Sequence, residues 1–124
     1  MTYLGVQGQR DIAHHVLPLA SSNPATPFVL DAMTLPTTWA SLYLVFDAIA
    51  TDVGSQHKLK KLGWLTDDEL SDLTNSANNS RNIREGARHG NRVDSTRPLI
   101  PLDVAQILTS KLVVCWLYWL AEQT

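Results

Sequence analysis

Residues 112–121 read "LVVCWLYWLA", ten apolar positions in a row. Crossing a bilayer takes about 20 such residues, so the run reads as part of a buried helix rather than a membrane span. Across 102–122, Val104, Ile107, Leu108, Leu112, Cys115 and Trp119 follow one helical face, and Val113, Trp116, Leu117 and Leu120 cover much of the rest. Pro101 near the first turn, with Asp103 close to the positive end of the helix dipole, suits the start of such a helix. A helix that is apolar nearly all round must be central in its bundle or shared with another chain. A chain of 124 residues is one domain. A second copy is therefore the natural place for the surplus, and the sequence predicts a homodimer.

The preceding segments read as helices too. In "TTWASLYLVFDAIATDVG", Trp39, Leu42, Tyr43, Phe46, Ile49, Ala50 and Val53 recur at three- and four-residue steps. Thr37 or Thr38 can cap the start and Gly54 can end it. Leu44 and Val45 widen the apolar surface, which predicts burial on more than one side. "HKLKKLGW" predicts a short helical turn ending at Gly63. "TDDEL" carries a capping box between Thr66 and Glu69, with Leu70, Leu73 and Ala77 on the inner face that follows. The polar "NSANNS" is poor in helix formers and predicts fraying or bending before Arg81.

Four of the six prolines (Pro18, Pro24, Pro27 and Pro36) fall in residues 1–37. They predict a largely irregular or extended N-terminal arm, within which "DIAHHVLPLA" could form a short helix or strand. Residues 38–124 are expected to hold the bundle. The sum is an all-α, up-and-down bundle of about four to five helices.

Charge is concentrated in one place. The net charge is −2, yet Arg81, Arg84, Arg88, Arg92 and Arg97 lie within seventeen residues, opposed there only by Glu85 and Asp94. An acidic total argues against a protein that coats nucleic acid indiscriminately. Cys115 is the only cysteine, which excludes an internal disulfide and fits a reducing, cytoplasmic setting. The N-terminus lacks the basic start and long apolar core of a signal peptide. His14 and His15 are adjacent and diverge on any regular element, so no metal site is expected. The tryptophans Trp39, Trp64, Trp116 and Trp119 read as core packing before base-stacking platforms.

If residues 78–89 are helical, Arg81, Arg84, Arg88 and Arg92 form one stripe, and Asn78, Asn82, Glu85 and His89 lie beside it. Guanidinium forks suit phosphate oxygens. An imidazole that titrates near pH ~6.5 can take or give a proton at neutral pH. Together they suit metal-free RNA cleavage, with a base on the ribose 2′-hydroxyl and an arginine holding the charge that builds on the phosphorus oxygens. The competing reading is a solvated helix end in which Glu85 pairs with Arg81 or Arg88.

The order "WASLYLVFDAIATDVG … LGWLTDDEL … ANNSRNIREGARHG … PLDVAQ" resembles bacterial proteins of the HEPN superfamily (higher eukaryotes and prokaryotes nucleotide-binding), over roughly residues 38–122. The resemblance implies an all-α bundle that dimerises. Many members are metal-independent endoribonucleases in toxin–antitoxin, phage-defence or RNA-processing systems. Their signature is an arginine, four to six residues, then a histidine, with a polar residue such as asparagine commonly after the arginine. Two copies of it line a cleft at the dimer interface.

Arg84 and His89 match that signature, with "EGAR" between them. Glu85 stands where asparagine, aspartate or histidine is the rule. Arg81 is followed by Asn82, but seven residues separate it from His89. The resemblance thus implies His89 and Arg84 as catalytic residues, Arg88, Arg81 and Asn82 as phosphate-binding support, and no metal or cofactor. Expected partners are a second copy, RNA or a nucleotide, and an antitoxin or other protein, with no membrane. The alternatives are a non-catalytic HEPN-like module using the same groove to bind nucleotide, RNA or protein, and a helical scaffold whose arginine face is merely soluble.

Overall fold

The computed structural model describes residues 23–78 and 97–123, and these form five helices with no strand among them. In chain order they are α1 (Ala25–Met33), α2 (Trp39–Val53), α3 (Gln56–Leu62), α4 (Asp67–Asn78) and α5 (Leu102–Gln123). The all-α bundle expected from the sequence is what the chain forms.

Residues 25–33 are helical, where the proline content had predicted an irregular or extended arm. The reason is local. Pro24 is the N-cap of α1 and Pro27 lies in its first turn, where backbone N–H groups have no intrahelical acceptor to lose. Asn23 Oδ1 accepts from the Ala25 amide at 2.8 Å, supplying the cap that proline cannot. Val29 and Ala32 then enter the core, so this part of the chain belongs to the bundle. "DIAHHVLPLA" lies outside the described residues.

Helix α2 begins at a reciprocal cap. The Thr38 hydroxyl accepts from the Ser41 amide at 3.0 Å, and the Ser41 hydroxyl accepts from the Thr38 amide at 2.9 Å. It ends at Gly54, whose φ of +124° favours a residue without Cβ. Trp39, Leu42, Phe46, Ile49 and Ala50 of the predicted face are buried and Tyr43 and Val53 half-buried; Val45 is also buried, whereas Leu44 remains 39% exposed. Ser55 caps α3 by accepting from the Lys58 amide, and Gly63 closes it in the left-handed region.

The predicted capping box of α4 is formed. Thr66 Oγ1 accepts from the Glu69 amide at 3.1 Å, and Glu69 Oε1 accepts from the Thr66 amide at 2.9 Å. Of "NSANNS", residues 75–78 are helical, and Asn79 and Ser80 lie outside the described residues. The helix continues to Asn78 with Asn75, Ser76 and Ala77 buried, because Leu73 and Ala77 hold its inner face in the core.

The centre of the bundle is α2, which packs against all four other helices, while α5 packs on α2 and α4. The buried side of α5 consists of Ala105, Leu108, Thr109, Leu112, Val113, Trp116, Leu117 and Leu120. That corrects the expected face, since Val104 and Ile107 point to solvent and Ile107 is 67% exposed. By length and composition α5 could cross a membrane, with a mean hydropathy of 1.5 over its best 18 residues.

Candidate functional site

Arg81, Asn82, Arg84, Arg88 and His89, the residues singled out from the sequence, lie outside the described residues, which omit 79–96. The geometry available is that of the frame on either side. Asn78 ends α4, and the chain resumes at Arg97 alongside the same helix.

The return is held through Arg97 and Ile100. Arg97 Nη1 donates to Asp72 Oδ1 at 2.6 Å, with Nη2 lying 3.8 Å from Asp68 Oδ1. Three residues on, the Ile100 amide donates to the buried Ser76 hydroxyl at 2.9 Å. The segment 97–100 therefore runs beside α4 in the same direction, from Asp72 towards Ser76, before α5 begins. Arg97 belongs to the basic cluster in sequence, but its guanidinium is committed to two carboxylates of α4. Asp68 and Asp72, four residues apart on one helical face, were the sequence signal for this. Removing Arg97 leaves four arginines against Glu85 and Asp94 in the cluster.

At the far end of α4, Asn78 Oδ1 is buried with no hydrogen-bond partner among the described residues. A buried amide oxygen of this kind costs stability unless something donates to it. It is the last described group before residues 79–96.

Helix α4 is also tied to α5. Lys111 Nζ lies 3.4 Å from Glu69 Oε1. Donation from the Thr66 amide holds the Glu69 carboxyl below its ordinary range, helped by Lys111 and opposed by burial. One turn on, burial pushes the Cys115 thiol up, against the pull of Lys111.

The tryptophans pack inward, as expected. Trp39 and Trp116 are buried, and Trp64 meets Trp119 edge-on with centroids 5.9 Å apart. The sequence did not reveal the partner of the Trp116 indole. Its Nε1 donates to Asp52 Oδ2 at 3.0 Å, and Asn23 Nδ2 donates to Asp52 Oδ1 at 3.3 Å. One carboxylate at the end of α2 thereby joins the entry to α1 and the middle of α5.

An open groove of about 610 Å³ runs between α1 and α2, and a smaller cleft of about 210 Å³ lies over Phe46 and Leu70, rimmed by His57, Lys60 and Asp67. Lys60 and Asp67 approach to 3.8 Å across its mouth. Among the described residues no group of three or more His, Cys, Asp or Glu is placed to hold a metal ion.

No family model matches the chain, and neither a curated protein nor a solved structure matches it significantly.

Proposed function

We propose that the chain is a cytoplasmic, dimeric, HEPN-like protein that cleaves RNA without metal, in a toxin or defence role. The observation that carries the reading is Arg84 and His89, with four residues between them, within an arginine-rich segment that lies between two helices of an all-α bundle. In this mechanism His89 takes the proton of a ribose 2′-hydroxyl, and the oxygen attacks the adjacent phosphorus. The bond to the 5′-oxygen breaks, and that oxygen leaves with a proton returned to it, giving a 2′,3′-cyclic phosphate. Arg84 holds the charge on the non-bridging oxygens, with Arg88, Arg81 and Asn82 placing the backbone.

Dimerisation is supported by the outward side of α5. Val104, Ile107, Val114 and Tyr118 follow one another at three-, seven- and four-residue steps, and three of the four are well exposed. That is the spacing of a helix–helix seam. The opposite side of α5 packs in the bundle core, which supports a water-soluble protein over a membrane span.

Glu85 favours a second reading. A carboxylate beside Arg84 opposes an incoming phosphate, which suits a non-catalytic module that binds nucleotide, RNA or a protein partner through the same arginines.

Purified protein incubated with RNA in the presence of a chelator separates the two. Cleavage by the wild type that is lost in both His89→Ala and Arg84→Ala is the expected result. Equal cleavage by all three proteins would mark a contaminant and end the nuclease reading. Binding without cleavage, weakening steeply with salt, would establish the module instead.

A further inference from the structure

The cleft of about 210 Å³ between α2, α3 and α4 joins an apolar floor to a rim of hydrogen-bond donors. Phe46 and Leu70 form the floor, while His57 and Lys60 line the rim from α3, and Ser71 and Asp67 from α4. Lys58, Lys60 and Lys61, three of the chain's four lysines, lie on α3, which has no carboxylate. Lys61 stands one turn on from His57, on the rim side of that helix. Two ammonium groups, Lys60 and Lys61, are thus set against the single carboxylate of Asp67.

Most of these groups are unspent. Among the described residues His57, Lys61 and the Ser71 hydroxyl have no hydrogen-bond or ion-pair partner. Lys60 meets Asp67 only at 3.8 Å, with the two side chains 56% and 73% exposed. A pair so long and so open to water contributes little, and an entering anion can take Lys60 from it without uncovering a buried charge.

This set of donors selects its ligand. Ammonium, imidazole and hydroxyl groups arriving from two helices suit a phosphate ester, whose three terminal oxygens accept several hydrogen bonds at once. A cationic ligand is disfavoured by Lys60 and Lys61. The floor adds a demand that free phosphate does not meet, since Phe46 and Leu70 offer apolar surface to whatever carries the phosphate. The cleft has room for about seven waters, which limits its occupant to a small molecule. We propose that this cleft binds a small phosphomonoester with an aromatic or apolar body. Its phosphate lies among His57, Lys60, Lys61 and Ser71, and its body rests on Phe46 and Leu70. The site is separate from the arginine segment and stands or falls without the proposed RNA chemistry.

Phenyl phosphate is the probe, titrated into the isotope-labelled full chain and followed through amide chemical shifts. It should bind with a Kd of about 1 mM and shift the amides of His57, Lys60 and Ser71. Inorganic phosphate, which lacks the body, and benzyl alcohol, which lacks the charge, should each bind about tenfold more weakly, and benzylamine should not bind. Lys60→Met should raise the Kd about tenfold and His57→Ala about threefold. Both side chains are exposed, and circular dichroism checks that the helices persist without them. Leu44→Ser, in the groove between α1 and α2, should leave the Kd unchanged. The proposal is overturned if phenyl phosphate does not bind, if the shifts centre on residues 81–92, if any of the three counterparts binds as tightly as the probe, or if Lys60→Met and His57→Ala bind as the wild type does.

Discussion

Helices α2 and α5 are both rich in apolar residues, yet they stand differently in the bundle. Helix α2 is shorter and has neighbours on every flank, so even Ser41 is buried, and Leu44 is its one large apolar side chain left well exposed. Helix α5 is seven residues longer (22 against 15), packs on α2 and α4, and keeps Val104, Ile107 and Tyr118 in solvent. Apolar content thus does not measure centrality. A central helix needs neighbours, whereas a flanking one needs a single buried face, and anything apolar beyond that face is available for another surface.

The largest expected effect tests whether the buried face of α5 matters as much as that of α2. Trp116→Ala and Phe46→Ala should each cost about 3–5 kcal/mol in urea unfolding, since both side chains are almost wholly buried. A loss below about 1 kcal/mol for Trp116→Ala would make α5 peripheral and break the comparison.

A smaller effect concerns the tie between α4 and α5. The Glu69 carboxyl is held below its usual value near 4.5, so its stabilisation is complete above that value and is lost as pH falls through the lower folded pKa. Glu69→Gln keeps an acceptor for the Thr66 amide but loses the charge facing Lys111. The variant should be less stable than the wild type by less than about 1 kcal/mol at neutral pH. That gap should close below pH ~4.5 in thermal melts. A gap that stayed constant down to pH ~2 would show that the charge contributes nothing.

The smallest effect on stability belongs to the outward strip. Ile107→Ser should change unfolding free energy by no more than about 0.5 kcal/mol, while light scattering falls from the mass of a dimer to that of a monomer. A wild type that is itself monomeric at micromolar concentration would leave the strip without a second copy.

Helix existence and end chemistry were legible in the sequence wherever a local signal decided them. The Thr66–Glu69 box, the glycine stops at Gly54 and Gly63, and the periodic face of α2 all rest on interactions within a few residues. Helix α1 is not legible from proline content, because the number of prolines says nothing of their position, and here they fall where a helix tolerates them. The side of α5 that faces the core was misplaced because nearly every position is apolar, so periodicity carries little directional information; α2 and α4 settle it by where they pack. For the candidate site, sequence supplied the arginines and the histidine. The commitment of Arg97 to α4 and the junction at Asp52 come from residues far apart in the chain, which no local pattern encodes.

The Asp52 junction also sets an order of events during synthesis. Its donors come from residues 23 and 116, so a nascent chain can bring the first two helices together long before the indole exists. Until the ribosome has released the C-terminal helix, the flank of α2 that receives it stays uncovered and open to unwanted association.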